Sequence, residues 1–349
     1  MNILKSPLNR PAVKVAGILA VILVSFWVST YFPTLLLTLI LSALSAFVLR
    51  PIVTFLEFRL GIRRVISIAI VFLVTGGIFV LAAIQLTPML IERVREMYEQ
   101  FRNFPFDAKL DEASRDLTKN VPFVNPETLS LKIHGILQSG QQVLGESLGG
   151  LAGFAVNLVI VPFVTYFILA EWDITLKRLI ERVPNKYFEM TLNVINKIQT
   201  DLVGYLRGWI LDSVIVGILS IVAYSIVGVE YALLLGIVAG ISNLIPYVGP
   251  FVGVIPAFFV SLAQTGDFHQ FAPIIIQLLA VQLVDNTIVQ PMCFAKTVDM
   301  HPLTVIIVLI VGNELMGVAG MLFAIPIATI LKASAIETYW GLKNYQITA

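Results

Sequence analysis

Charge is scarce in this chain. Of its 349 residues, 13% are Asp, Glu, Lys or Arg, where soluble proteins average roughly 25%. A soluble domain of this size could not cover its surface with so few charges, which excludes an ordinary cytosolic enzyme and a disordered chain. Cysteine is nearly absent, and the lone Cys293 excludes a disulfide framework. Net charge is +1, so no global field recruits nucleic acid. No GxxxxGK followed by Ser or Thr occurs, so the chain carries no P-loop ATPase of its own. HExxH and GxSxG are missing, and His134, His269 and His301 are scattered. We therefore expect no enzyme, no metal and no cofactor.

What is abundant is apolar. AVILMFWYC make up 58% of the chain and the mean hydropathy is +0.90. This is the composition of a polytopic all-α membrane protein. A helix needs roughly 20 apolar residues to span a bilayer. The block Val13–Leu49 is too long for one span, and Ser29, Thr30 and Pro33 divide it into spans at 13–30 and 33–49. Lys5, Arg10 and Lys14 before this run resemble a signal peptide, but the run is too long and no cleavage site follows. Further spans read at 66–86, 148–170, 209–229 and 273–290.

Two segments are overlong. Tyr231–Thr265 holds no charge, and as one helix its 35 residues would measure about 52 Å against a core of about 30 Å. Pro246, Gly249 and Pro250 sit at its middle, and Pro256 lies further on. Proline breaks an intrahelical hydrogen bond, so the segment reads as a hairpin of two shorter helices. Pro302–Leu331 repeats this design, with Gly312, Gly317 and Gly320 at its centre and Pro326 beyond. The expectation is six full spans plus two broken-helix hairpins, inverted relative to each other.

Lys and Arg set the orientation. The N-terminus and the loop 50–64, with Arg50, Arg59, Arg63 and Arg64 against Glu57, read as cytoplasmic. Segment 87–146 then lies outside, with seven basic residues against nine acidic ones. The linker 171–207 and the C-terminus return inside. The chain divides into a three-span bundle (1–86), an external insert (87–146), a fourth span with linker (147–207), a transport core (208–335) and a tail (336–349). In the insert, Leu86, Leu90, Val94, Met97, Phe101 and Phe104 recur at helical spacing, and Asn125-Pro126-Glu127 starts a second amphipathic helix. Such a stripe most often packs on protein; a membrane-surface helix or a lid is the other reading.

The two overlong segments share a pattern at an offset of 70 residues. Asn243, Val248, Ile255 and Pro256 align with Asn313, Val318, Ile325 and Pro326. The same offset sets Asp212 opposite Gln282. Paired broken segments in two halves point to a secondary-transporter site. A carboxylate near the bilayer centre costs at least ~2.5–3.5 kcal/mol, so it reads as functional by default. Glu314, beside Asn313 in the second hairpin, leads; burial would disfavour its ionised form. Asp285 with Asn286 follows. Asp212, just past Trp209, reads as close to the interface. These carboxylates could equally hold the bundle together through hydrogen bonds, and Asn243 and Asn313 could satisfy freed backbone groups.

Asn243-Leu-Ile-Pro-Tyr-Val-Gly-Pro250 and Gly253-Val-Ile-Pro256 resemble the signature of the autoinducer-2 exporter family of bacterial membrane proteins. Asp285-Asn286 with Gln290-Pro291, Lys296, His301-Pro302-Leu303, Gly317-Val-Ala-Gly320 and Ile325-Pro326 carry the same resemblance, as does Pro51. It covers the whole chain and is strongest over 228–332. It implies transport across a bacterial inner membrane, in which the Lys/Arg pattern sets both termini in the cytoplasm. It also implies a homo-oligomer, with a pentamer as the expected form. The family is named for export of a quorum-sensing signal, while some members are described as sodium(lithium)/proton antiporters. We therefore expect a non-ATPase exporter of a small polar solute, with cation/proton antiport through Asp285 and Glu314 as the alternative. A non-transporting scaffold or pore is the reading from another class. The expected partners are a small polar solute or monovalent cation and membrane lipid, with no nucleic acid.

Overall fold

The computed structural model describes residues 33–103, 151–294 and 300–344, and every regular element among them is helical. Pro33 opens α1 (Pro33–Leu60), a position where its missing N–H costs nothing. Gly61, at φ 67°, ends it. The expected loop 50–64 thus shrinks to 61–63. Pro51 sits inside α1 because its ring removes only one hydrogen bond from a helix continued by good helix formers on both sides. α2 (Arg64–Asn103) and α3 (Leu151–Glu181) complete a first bundle around Ala46, Val53, Ile68, Val71 and Leu169. Its polar groups are closed internally, as an apolar medium requires. Ser42 Oγ donates to the Thr38 carbonyl at 2.7 Å, and Thr165 Oγ1 to the Ser42 and Val161 carbonyls at 3.2 and 2.7 Å. At one end, Arg50 donates to Asp173 at 3.0 Å, while Arg64 reaches Asp173 and the Leu169 carbonyl.

The helices run across the expected unit boundaries. α2 passes unbroken through 86/87, so the third span and the start of the insert are one rod. A short 3₁₀ turn, Asn185–Tyr187, leads into α4 (Phe188–Val227), which crosses 207/208. The expected linker 171–207 is therefore mostly the ends of two long helices. Pro88 and Gly208 lie at these boundaries without ending the helices, and polar residues on an exposed face do not stop a helix. The span 13–30, most of the insert, including Phe104 and Asn125-Pro126-Glu127, and Lys296 lie outside the described residues.

α4 ends at Gly228, in a left-handed conformation at φ 79°, and Tyr231 at φ 56° completes the reversal. The chain then forms the first hairpin. α5 (Ala232–Ser242) leads to a turn at 243–248, and α6 (Gly249–Thr265) returns. The arms touch closely, since a Cβ on Gly253 would stand 2.9 Å from Ala239 Cα. Met97, on the extension of α2, is buried with Leu234, Leu235, Val254, Val260 and Ile274. At Met97 the amphipathic stripe packs on the hairpin. α7 (Phe271–Val284) follows, then one π turn, Asp285–Val289, then α8 (Gln290–Phe294).

The last element, α9 (Pro302–Asn344), is folded on itself. Met316 and Gly317 leave helical geometry, and Gly317 takes φ 60°, ψ −141°, a conformation open to glycine. Gly312 and Gly320 then stand against each other, with a Cβ on Gly320 placed 1.8 Å from the Gly312 oxygen. Eight residues of straight helix would separate them by about 12 Å. The second overlong segment is thus a hairpin broken at 316–317. Pro256 and Pro326, expected among the breaks, sit inside helices instead. Each removes one hydrogen bond without reversing the chain. The returning arm runs helically to Asn344, so the expected tail is helical over most of its length.

Among the described residues, Leu35–Leu60, Asn185–Val227, Phe271–Phe294 and Pro302–Gly341 contain stretches long and apolar enough to cross a membrane. Leu73, Ile78, Phe163, Ile226, Ile276 and Leu283 are exposed around them, a surface suited to lipid and not to water. The protein is an all-helical polytopic membrane protein.

Candidate functional site

α4 carries Tyr205, Trp209 and Asp212 on one face, at helical spacing. Against this face the first hairpin sets its turn. The turn needs polar partners because its backbone leaves the helical ladder at depth. Trp209 supplies one, its indole Nε1 donating to the Leu244 carbonyl at 2.7 Å. Asn243 supplies another link, its Nδ2 donating to Asp212 Oδ2 at 2.9 Å. Pro246 lies within the turn and Pro250 in the first turn of α6, where a missing N–H is tolerated. A Cβ on Gly249 would meet the Ser242 carbonyl oxygen at 2.2 Å, so only glycine fits where the arms converge.

The π turn brings the second set of groups. A π turn inserts one extra residue and re-aims the side chains around it, a device common at functional sites. Here it brings Gln290 back over Asp285 and Asn286. Gln290 Nε2 donates to Asp285 Oδ2 at 2.8 Å and to Asn286 Oδ1 at 3.0 Å. Tyr205 stacks on Trp209, with centroids 5.7 Å apart, and meets Phe294 at 5.8 Å, forming an aromatic wall.

These parts enclose a cavity of about 470 Å³, lined by Asp212, Asn243, Pro246, Pro250, Gln282, Asp285, Asn286 and Gln290, with Tyr205, Trp209, Tyr247 and Phe294. Val305 and Ile325, from the two arms of the second hairpin, close one side. Asp212 and Asp285 are 4% and 1% exposed, and both line this cavity. Neither Asp212 Oδ1 nor Asp285 Oδ1 meets a donor from the protein. Two ionised carboxylates are acceptors only and repel at contact. A pair sharing one cavity is stabilised when a proton or a cation compensates its charge.

The structure thus gathers Asp212, Asn243, Asp285 and Asn286, together with Pro246 and Pro250. Asp212 is deeply buried, with the first hairpin packed over it. Asn313 and Glu314 are not brought to this cavity; both are exposed on the outgoing arm of α9. Gly317 and Gly320 shape the second hairpin and do not line the cavity. Asp212 and Gln282, paired by the 70-residue offset, share the cavity wall. Sequence reading alone gave no role to Tyr205 or Gln290. The spacing of Asp285 and Gln290, five residues apart, is the signal of a π turn, but it is unremarkable until the turn is known. Among the described residues no cluster of three or more His, Cys, Asp or Glu could hold a metal.

The model of the AI-2E family transporter matches residues 17–340. The chain belongs to the AI-2E family of transporters. "Putative transport protein YueF" of Bacillus subtilis is 28% identical over 95% of the chain and 93% of its own length. "Putative permease PerM" of Escherichia coli is 28% identical over 91% of each. "Sodium-lithium/proton antiporter" of Halobacillus andaensis is 23% identical over 87% of the chain and 91% of its own length. The cavity is therefore the interior of a membrane transporter of the AI-2E family.

Proposed function

We propose that this AI-2E family transporter is a secondary cation/proton antiporter whose proton resides on the Asp212–Asp285 pair. One observation carries the reading: two buried carboxyl groups line one cavity, and each has an oxygen without a donor. A proton held there lowers the charge of the pair from −2 to −1, and a monovalent cation bound beside the pair compensates the same single charge. The two species compete to compensate the same charge, which is the requirement for obligatory exchange. Asn243 and Gln290 fix one oxygen of each carboxyl and leave the other for the exchanging species. The relative described as an antiporter supports this reading.

A second reading, export of a small polar solute such as a quorum-sensing signal, has its own observation. The cavity volume of about 470 Å³ exceeds what a bare cation needs, and aromatic rings line it. Pockets for small organic ligands span roughly 300–1,000 Å³. In either reading the protein works as a homo-oligomer, expected to be a pentamer, in a bacterial inner membrane with both termini cytoplasmic.

Proteoliposomes loaded with Na⁺ and given a pH gradient decide between them. Antiport predicts Na⁺ efflux coupled to proton entry, abolished by Asp285→Asn and by Asp212→Asn. Flux of a polar solute without Na⁺ movement favours export, and neither flux leaves a scaffold.

A further inference from the structure

Val216, Ser220 and Tyr224 follow Asp212 at four-residue intervals, so all share one face of α4. Against it α7 presents Gln277 and Val281, at the same spacing before Asp285. A second cavity, of about 20 Å³, lies between them. Its polar lining comes from Ser220, Tyr224, Asn243, Gln277 and Gln282. Asn243, Pro250 and Gln282 also line the larger cavity, so those side chains form the wall between the two spaces.

The polar residues lining this small space offer several acceptors. Asn243 commits its amide group to Asp212, which leaves its carbonyl oxygen. Tyr224 donates its hydroxyl to the Gly253 carbonyl at 3.3 Å, which leaves oxygen lone pairs. Gln277 is 8% exposed. Its Oε1 is buried without a donor. A buried amide oxygen without a partner is satisfied by an occupant that offers a donor or a positive charge. One water needs roughly 10–15 Å³, so the space admits a single body of that size or smaller. Neutral oxygens suit hard cations.

We propose that this cavity seats one dehydrated monovalent cation, Na⁺ or Li⁺, held by oxygens of Gln277, Ser220, Asn243 and Tyr224 beside the carboxyl pair. The inference rests on the antiport reading and names its cation site. The larger cavity is the approach. As the cation settles, the proton on the Asp212–Asp285 pair leaves to water in the larger cavity, so net charge is conserved. The negative pair then offsets part of the hydration the cation has lost. Ser220 and Gln277 act on the cation and not on the proton, which separates them from Asp285.

The test uses the full chain, purified and reconstituted, with radioactive Na⁺ as the probe in both equilibrium binding and flux driven by a pH gradient. Gln277→Leu should weaken Na⁺ binding about tenfold or more, and Ser220→Ala severalfold, in protein that assembles normally. Gln277→Glu, which keeps an oxygen at the same place, should retain binding; it and Ser220→Ala decide the matter if the Leu variant does not assemble. Unchanged Na⁺ affinity in the assembled variants overturns the site and leaves a structural water there. A wild type that moves no Na⁺ under a pH gradient overturns the antiport reading itself. Flux lost in Asp285→Asn but untouched in Gln277→Leu overturns this site alone.

Discussion

Asn243 and Asp212 tie the first hairpin to α4 through a single hydrogen bond of 2.9 Å, from an amide in the turn to a carboxylate in mid-helix. The bond serves two purposes. It anchors a turn whose backbone has left the helical ladder, and it fixes which oxygen of Asp212 faces the cavity. Asn243→Ala should therefore lower transport and stability together. Removing one partner of a buried charged hydrogen bond costs about 1–3 kcal/mol. We expect a pH-gradient-driven flux at least about tenfold lower and a lower unfolding temperature in detergent. Full flux in Asn243→Ala would show that the bond neither positions the carboxylate nor holds the turn.

Trp209 makes the companion contact, its indole donating to Leu244. Trp209→Phe keeps the ring packed on Tyr205 but strips the donor, leaving a carbonyl of the turn unpaired. The expected loss is about 1–3 kcal/mol of stability, with flux reduced less than in Asp285→Asn. Comparing thermal unfolding with flux in the same preparation separates the two effects.

The second hairpin depends on glycine contact and not on hydrogen bonds to side chains. Gly320→Ala would drive a Cβ to 1.8 Å from the Gly312 oxygen. The arms must then separate, and overpacking of this kind costs about 1–3 kcal/mol or more. Gly317→Ala is the milder comparison, since its Cβ would meet no atom within 4 Å and only its positive φ is strained. We expect Gly320→Ala to assemble poorly and Gly317→Ala to be impaired less, by about 1–3 kcal/mol of backbone strain alone, as measured by size-exclusion chromatography and thermal unfolding of the solubilised protein.

How much of this was legible beforehand follows from what each feature depends on. Hairpin positions were visible because Tyr231–Thr265 and Pro302–Leu331 exceed any bilayer and carry their breakers at the centre. Asp285 with Asn286 was visible because a charge in an apolar run is conspicuous. The burial of Asp212 was not, since nothing in the sequence shows that the turn of the first hairpin folds over it. Gln290 and Tyr205 stayed hidden for a geometric reason. A helical pattern assumes 3.6 residues per turn, and the π turn at Asp285–Val289 moves Gln290 off that register. Glu314 stood out for the same reason as Asp285, but charge alone does not tell which face of a hairpin arm a residue occupies.

Orientation is open to a direct measurement. Arg50, Arg63 and Arg64 gather where α1 and α2 meet, and two of them, Arg50 and Arg64, clamp Asp173 at the end of α3. Basic residues at one membrane face indicate the cytoplasm. In an otherwise Cys-free chain, a cysteine at Asn120 should react with an impermeant thiol reagent added outside whole cells. One at Arg63 should react only after the cells are opened. External labelling at Arg63 without labelling at Asn120 would invert the protein.

Glu314 separates the two ways of reading an intramembrane charge. It is exposed on the outgoing arm of α9 and does not line the cavity that holds Asp212 and Asp285. A carboxyl that exchanges protons with a transported cation must reach the space the cation crosses, and the Asp pair does. Glu314→Gln keeps the shape and the hydrogen-bonding capacity of the side chain but cannot titrate. If coupling lies on the pair, this variant should assemble and keep proton-driven flux within about twofold of wild type, well under 1 kcal/mol, with an unchanged pH profile. Asp285→Asn, the same chemical change made inside the cavity, should abolish the flux. A glutamine at 314 that flattens the pH profile in well-assembled protein would move the coupling proton from the cavity to the second hairpin. The Asp212–Asp285 pair would then be a structural contact held by one permanent proton.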